Sequence, residues 1–169
     1  MNISYNVTEA DFIQFNYFHY TNSTAGKRAL TQQRFIGPIT FLIMGVAFMY
    51  VTSLPKWYIA VLMLLASVIW YFYYPVYFKR LIKREVTKML EEGKNEGLLG
   101  KHQLLMTDQG FVEVTPHERT RAKWQSIKKM EEDKEAIYLY NSSVSALILP
   151  KRELKEPEVV QQYIESRVY

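Results

Sequence analysis

The chain of 169 residues contains no cysteine. That excludes a disulfide scaffold, a thiolate metal site and a cysteine nucleophile. Charge is almost missing from one long stretch: between Phe35 and Phe78 the only Asp, Glu, Lys, Arg or His is Lys56. All 17 acidic residues, and all but one of the 21 Lys and Arg, lie outside it. The averages conceal this partition, since 49% hydrophobic residues and a mean hydropathy of −0.16 are ordinary for a water-soluble globule. The partition itself rules such a globule out.

What is there instead is two uncharged runs, Phe35 to Leu54 and Trp57 to Phe78. At about 1.5 Å rise per residue, each helix is about 30 Å or slightly longer, the thickness of a bilayer's hydrocarbon core. Backbone amides inside that core must be paired within the segment, so such runs are helical. A fully buried helix pair in a soluble protein is the competing reading, but a chain this short cannot cover both helices on all sides. Only Pro55 and Lys56 separate the runs, which makes the segment a helical hairpin. Pro38 is expected in the first turn of the first span, and Pro75 is expected to kink or end the second. Trp57 and Tyr58, then Trp70 to Tyr74 and Tyr77, suit the two headgroup boundaries.

Basic flanks orient the hairpin. Lys27, Arg28 and Arg34 precede it and Lys79, Arg80, Lys83, Arg84 and Lys88 follow it, against Lys56 alone at the tip. Eight against one predicts both termini in the cytoplasm. Met1 to Asp11 is polar and acidic, so no N-terminal signal peptide is expected. The N-x-[ST] matches at Asn2, Asn6, Asn22 and Asn141 are then chance matches.

Ile3, Tyr5 and Val7 alternate with polar residues as a short strand. Thr8 and Asp11 resemble a capping box at a helix start. The following helix, Phe12 to Tyr20, has aromatics nearly all round, so it lies in the membrane interface or is covered by another part of the chain. His19 within it reads as a packed or interfacial residue rather than a ligand or base. Lys79 to Glu92 continues as a basic helix, and Gly93, Gly97 and Gly100 then loosen the chain. Beyond them, strand patterns occupy 102–107, 111–115, 119–124, 126–130, 136–140 and 144–149, with a helix starting near Pro157 that aligns Val160, Tyr163, Ile164 and Val168. The division expected is 1–34, an N-terminal strand and aromatic helix; 35–78, the hairpin (35–54 and 57–78); 79–97, a basic helix and linker; and 98–169, a small antiparallel sheet with a capping helix. The N-terminal strand is expected to pair with an edge of that sheet, because neither is stable with its backbone groups open.

Six strands and one helix follow the order of a pleckstrin-homology-like (PH-like) barrel. The opening Tyr-Asn-Val-Thr-Glu-Ala-Asp-Phe, the aromatic helix and the double span, together with Trp124-Gln125-Ser126-Ile127, Ile137-Tyr138-Leu139-Tyr140 and Ile148-Leu149-Pro150-Lys151-Arg152, resemble the YcxB-like family of small bacterial membrane proteins. The resemblance runs the length of the chain and implies an α+β protein: a two-helix transmembrane hairpin with a C-terminal PH-like barrel. It implies a place in the bacterial plasma membrane and brings no activity. Trp124, Ile127, Tyr138, Tyr140, Ile148 and Pro150 are the core residues expected.

Chemistry-bearing patterns are scarce. His19, His102 and His117 are too scattered for a zinc site, and Gly26-Lys27-Arg28 lacks the rest of a phosphate loop. No serine sits in a G-x-S-x-G elbow. Glu131, Glu132, Asp133 and Glu135 read as a solvated turn. The spans hold no ionisable residue on which to build a proton relay. No enzyme, cofactor or metal site is expected, and no nucleic-acid partner. The expected function is a membrane-anchored module presenting its sheet domain to a protein or peptide, with the bilayer and a protein partner or second copy as its contacts. The alternatives are an anionic-lipid sensor and an accessory or immunity-type subunit acting through its spans. For the sensor, the candidate residues are Lys79, Arg80, Lys83, Arg84, Lys88, Arg119, Arg121 and Lys123, although an orientation anchor explains the first five as well.

Overall fold

The uncharged runs fold as two long helices. The computed structural model describes residues 1–92 and 97–169, and the elements run β1 (Asn2–Val7), α1 (Glu9–Asn22), α2 (Thr24–Val51), α3 (Lys56–Glu92), β2 (Gly100–Thr107), β3 (Gly110–Val114), β4 (Arg119–Lys123), β5 (Lys129–Glu132), β6 (Ala136–Tyr140), β7 (Ala146–Pro150) and α4 (Pro157–Val168). The protein is α+β, with a C-terminal antiparallel sheet region. It divides into two units, His19–Arg84 and Met1–Phe18 with Glu85–Tyr169. Gly93, read above as a loosening point, lies outside the described residues.

In the helical unit, Ser23 caps α2 by accepting from the Gly26 N–H at 3.1 Å. The helix therefore starts well before Phe35, and Pro38 sits inside it rather than in its first turn. Pro75 likewise lies inside α3, which does not end there but runs on to Glu92. A proline removes the N–H that would bond the carbonyl four residues earlier, here that of Tyr71. Arg34 replaces the missing donor: its Nε donates to the Tyr71 carbonyl at 3.0 Å, and its guanidinium lies 3.7 Å from the centre of the Tyr71 ring. Glycines let α2 and α3 approach closely. A Cβ on Gly37 would fall 2.3 Å from Trp70 Nε1, and one on Gly45 would fall 2.8 Å from Met63 Cγ. Both helices are long and apolar enough to cross a membrane, and only 6% and 17% of their most apolar windows are buried within the chain. The core helices of a soluble protein would be mostly covered.

In the other unit, strand alternation and long-range pairing build two antiparallel sheets, β1-β2-β3-β4 and β5-β6-β7. The N-terminal strand pairs as expected: β1 lies antiparallel to β2, with Asn2 opposite Leu105 and Val7 opposite Gly100. Gly100 has φ +101°, a conformation that L side chains disfavour, so the chain enters β2 through the residue that tolerates it. The fourth C-terminal strand falls at Lys129–Glu132 rather than 126–130, because residues 124–126 form a 3₁₀ turn.

Every residue of β6 is buried, and its two faces serve different clusters. Ile137 and Leu139 join Leu104, Met106, Phe111, Trp124, Ile127 and Leu149, with Val160 and Ile164 of α4 in the same cluster. Tyr138 and Tyr140 pack with Ile148 against Phe15 of α1. The aromatic helix is thus covered by this sheet on its Phe15 side. Trp124 is buried in the turn rather than in a strand, where its Nε1–H donates to the Thr107 carbonyl at 2.7 Å. Pro150 is also fully buried.

Candidate binding site

Pairing β1 with β2 sets Tyr5 directly opposite His102, and β3 brings Glu113 beside them. The Tyr5 and His102 rings stack with centroids 5.4 Å apart. His102 Nδ1 lies 3.0 Å from Glu113 Oε1, and the Tyr5 hydroxyl donates to the same oxygen at 3.4 Å. A carboxylate oxygen only accepts, so Nδ1 carries the proton, and a neutral ring then offers Nε2 as an acceptor. Nε2 is buried and has no hydrogen-bond partner. Burial, then the Glu113 charge, pushes the Tyr5 hydroxyl well above its ordinary pKa, so Tyr5 stays a donor. His102 and Glu113 line a pocket of about 140 Å³ with Val7, Phe12, Leu147 and Ile148, and with the exposed Asn141 and Ser145. Sequence reading set His102 aside as one of three scattered histidines. Its one local sign is its place among the inward-facing residues of β2, with Leu104 and Met106.

A second polar cluster ties α1 to the end of β7. Thr8 and Asp11 form the expected capping box, with Thr8 N–H donating to Asp11 Oδ2 at 2.8 Å and Asp11 N–H to Thr8 Oγ1 at 3.3 Å. The same carboxylate accepts both Nη groups of Arg152. Burial alone would raise the Asp11 pKa, but the bonds from Arg152 and Thr8 outweigh it and hold the carboxyl below its usual range. The acidic turn is more tied down than a solvated loop. Lys151 Nζ donates to Glu132 Oε2 at 2.6 Å and to the Asp133 carbonyl at 2.7 Å, while Tyr138 and Gln14 donate to the Asp133 carboxylate. Among the described residues, no group of three or more His, Asp or Glu is placed to hold a metal.

The basic residues fall in separate units. Lys79, Arg80, Lys83 and Arg84 belong to the helical unit and Lys88 to the other, where it pairs with Glu92 at 3.5 Å. Arg119, Arg121 and Lys123 are exposed on β4, an edge strand, and share one face of it.

Residues 107–165 match the family model described as YcxB-like protein. Over those residues the chain is similar to that family. No curated protein and no solved structure matches the chain. The YcxB-like segment begins at the end of β2 and reaches into α4, so it holds Trp124, the tyrosine strand β6, the Lys151-Arg152 step and Glu113. Tyr5, Asp11 and His102 lie outside it, so each polar cluster joins a residue of the matched region, Glu113 or Arg152, to residues from outside it.

Proposed function

We propose that the chain is a non-enzymatic membrane-anchored interaction module. Its two spans sit in the bacterial plasma membrane with both termini in the cytoplasm, and its PH-like unit binds an acidic, extended segment of a partner protein along the edge of β4. The observation that carries this reading is that edge. Strand β4 has a neighbour on one side only, and its Arg119, Arg121 and Lys123 are exposed with no carboxylate pairing them among the described residues. An open edge offers main-chain hydrogen bonds to an added strand, and the basic side chains select its charge. Seven strands in a set of four and a set of three, with α4 in the shared core, support the PH-like assignment. In that reading the hairpin is an insertion between the first and second strands. Pairing of β1 with β2 across the insertion supports a common side for both chain ends, and the basic flanks favour the cytoplasm.

The test exploits the cysteine-free background. A photo-crosslinker attached at Thr120→Cys should join β4 to one partner protein in intact cells, and the triple change Arg119→Glu, Arg121→Glu, Lys123→Glu should abolish the adduct. Retention of the adduct in the triple variant would reject the edge as the site. Loss of binding to anionic vesicles in that variant, with no protein adduct in the parent, would favour the lipid sensor instead.

A further inference from the structure

We infer that the segment bound at the β4 edge alternates acidic and apolar residues, with a carboxylate opposite each of Arg119, Arg121 and Lys123, an inference that rests on β4 being the docking edge. The register of β4 on β3 decides which main-chain groups are open. The Thr115 N–H donates to the Glu118 carbonyl at 2.8 Å, and hydrogen-bonded pairs then recur at every second residue of an antiparallel ladder. Thr120 and Ala122 accordingly turn their N–H and C=O groups to Glu113 and Phe111 of β3. The Ala122 carbonyl agrees with this, since a Cβ on Gly110 would fall 2.2 Å from its oxygen. Arg119, Arg121 and Lys123 therefore turn theirs to the side where β4 has no neighbouring strand. Ser126 Oγ donates to the Lys123 carbonyl at 2.7 Å, so the open edge ends at the Lys123 N–H. The residues with open main-chain groups are thus the basic ones.

Side-chain direction supplies the pattern. Successive side chains of a strand point to opposite faces. Arg119, Arg121 and Lys123 share the outer face with Val114, Val112 and Gly110, while Thr120 and Ala122 lie on the face of Glu113 and Phe111. That second face is the core side, where Ala122 packs against the cluster holding Phe111 and Trp124. Glu113 is the one acidic residue in strands β1 to β4, and it turns to Tyr5 and His102 on the core side. The outer face of these strands is therefore cationic, with Lys101 of β2 adding to it. Directly opposite residues of two paired strands share a face, about 5.5 Å apart at Cα when hydrogen-bonded. An acidic residue opposite each basic one is paired on the outer face. The residues between them fall beside Thr120 and Ala122, where an apolar side chain extends the margin of the core and a charge would be desolvated without a partner. A run of consecutive acidic residues sends a charge to the core face in every register. The alternation is symmetrical, so it reads the same in either strand direction.

Two short peptides of one composition and one charge, capped at both ends, test the pattern on the full chain in neutral detergent micelles. One reads Thr-Glu-Val-Glu-Val-Glu-Thr and the other Thr-Val-Glu-Glu-Glu-Val-Thr. The alternating peptide should bind about tenfold more tightly, because the clustered one loses an ion pair and carries a charge to the core face. Arg121→Glu, an exposed change at the edge, should weaken the alternating peptide by at least about the same factor. Bound alternating peptide should also slow amide exchange at Arg119, Arg121 and Lys123, while Thr120 and Ala122, already facing β3, stay as they were. Equal affinity of the two peptides, lost for both in Arg121→Glu, overturns the alternation and leaves the acidic edge site standing. Tighter binding of the alternating peptide without that amide protection overturns it too, since the peptide is then held by charge alone. No binding by either peptide also overturns it, and the cellular adduct at Thr120→Cys then decides separately whether the edge is a site.

Discussion

The helical unit and the sheet unit are held together by different kinds of contact. Between His19 and Arg84 the elements are neighbours in sequence, two helices joined by residues 52–55 and packed through glycines. In the other unit, the first strand pairs with a partner about a hundred residues on, and Asp11 is held by Arg152. Local runs specify the first architecture, and cooperative long-range closure specifies the second. A single substitution should therefore travel far in the sheet unit and little in the hairpin.

The largest expected effect is that of Trp124→Ala. Removing a buried tryptophan costs about 3–5 kcal/mol, a large part of a small unit's stability. Its contacts with Phe111 and Tyr163 and its bond to Thr107 are lost together. Amide signals of the sheet unit should collapse while the helical content of the hairpin persists. Simultaneous loss of both would show that the units are not independent.

Asp11→Asn comes next. Breaking one side of a fully buried ion pair costs about 3–5 kcal/mol, and the half-exposed Arg152 lowers this to about 2 kcal/mol. A double-mutant cycle with Arg152→Gln should return most of that as coupling. The pH dependence follows from the direction of the shift. The folded Asp11 pKa is depressed, so its contribution is complete above the ordinary carboxylate range and is lost as pH falls through the folded value. Acid titration of the melting temperature should be less steep in Asp11→Asn than in the parent. Equal slopes would place the acid sensitivity elsewhere, with Asp133 and Glu132, whose pKa values are also lowered, as the next residues to vary.

Gly37→Ala probes the hairpin. Its new methyl would lie on the Trp70 indole, and overpacking of this kind costs about 1–2 kcal/mol. Interhelix crosslinking between introduced cysteines should weaken near Gly37, with the sheet signals unchanged. Arg34→Lys should have the smallest effect. It keeps the basic flank but loses the Nε donor, so about 1 kcal/mol is expected from the freed Tyr71 carbonyl. Amide exchange should rise in the turn before Pro75.

Much of this was legible in residue order. The uncharged runs announced two helices, Thr8 and Asp11 announced the cap, and the alternation of Ile3, Tyr5 and Val7 announced a strand in need of a partner. Strand ends were less legible where a turn borrowed strand-like residues, as at Trp124. The polar clusters were not legible in their composition. Arg152 looked like one more basic residue after a proline, and Glu113 like an ordinary strand glutamate. Nothing near either in sequence names its partner.

The sequence by itself determined the partition between apolar helices and a polar sheet unit, because a run of uncharged residues and a period of two are local properties. Only the tertiary structure decided that β1 completes the sheet, that β6 is buried on both faces, and that His102, Tyr5 and Glu113 form one polar cluster. Those facts depend on strand register, since a slip of one residue turns every side chain to the other face and dissolves the cluster. Register is set by the whole buried core at once, and no short segment carries it.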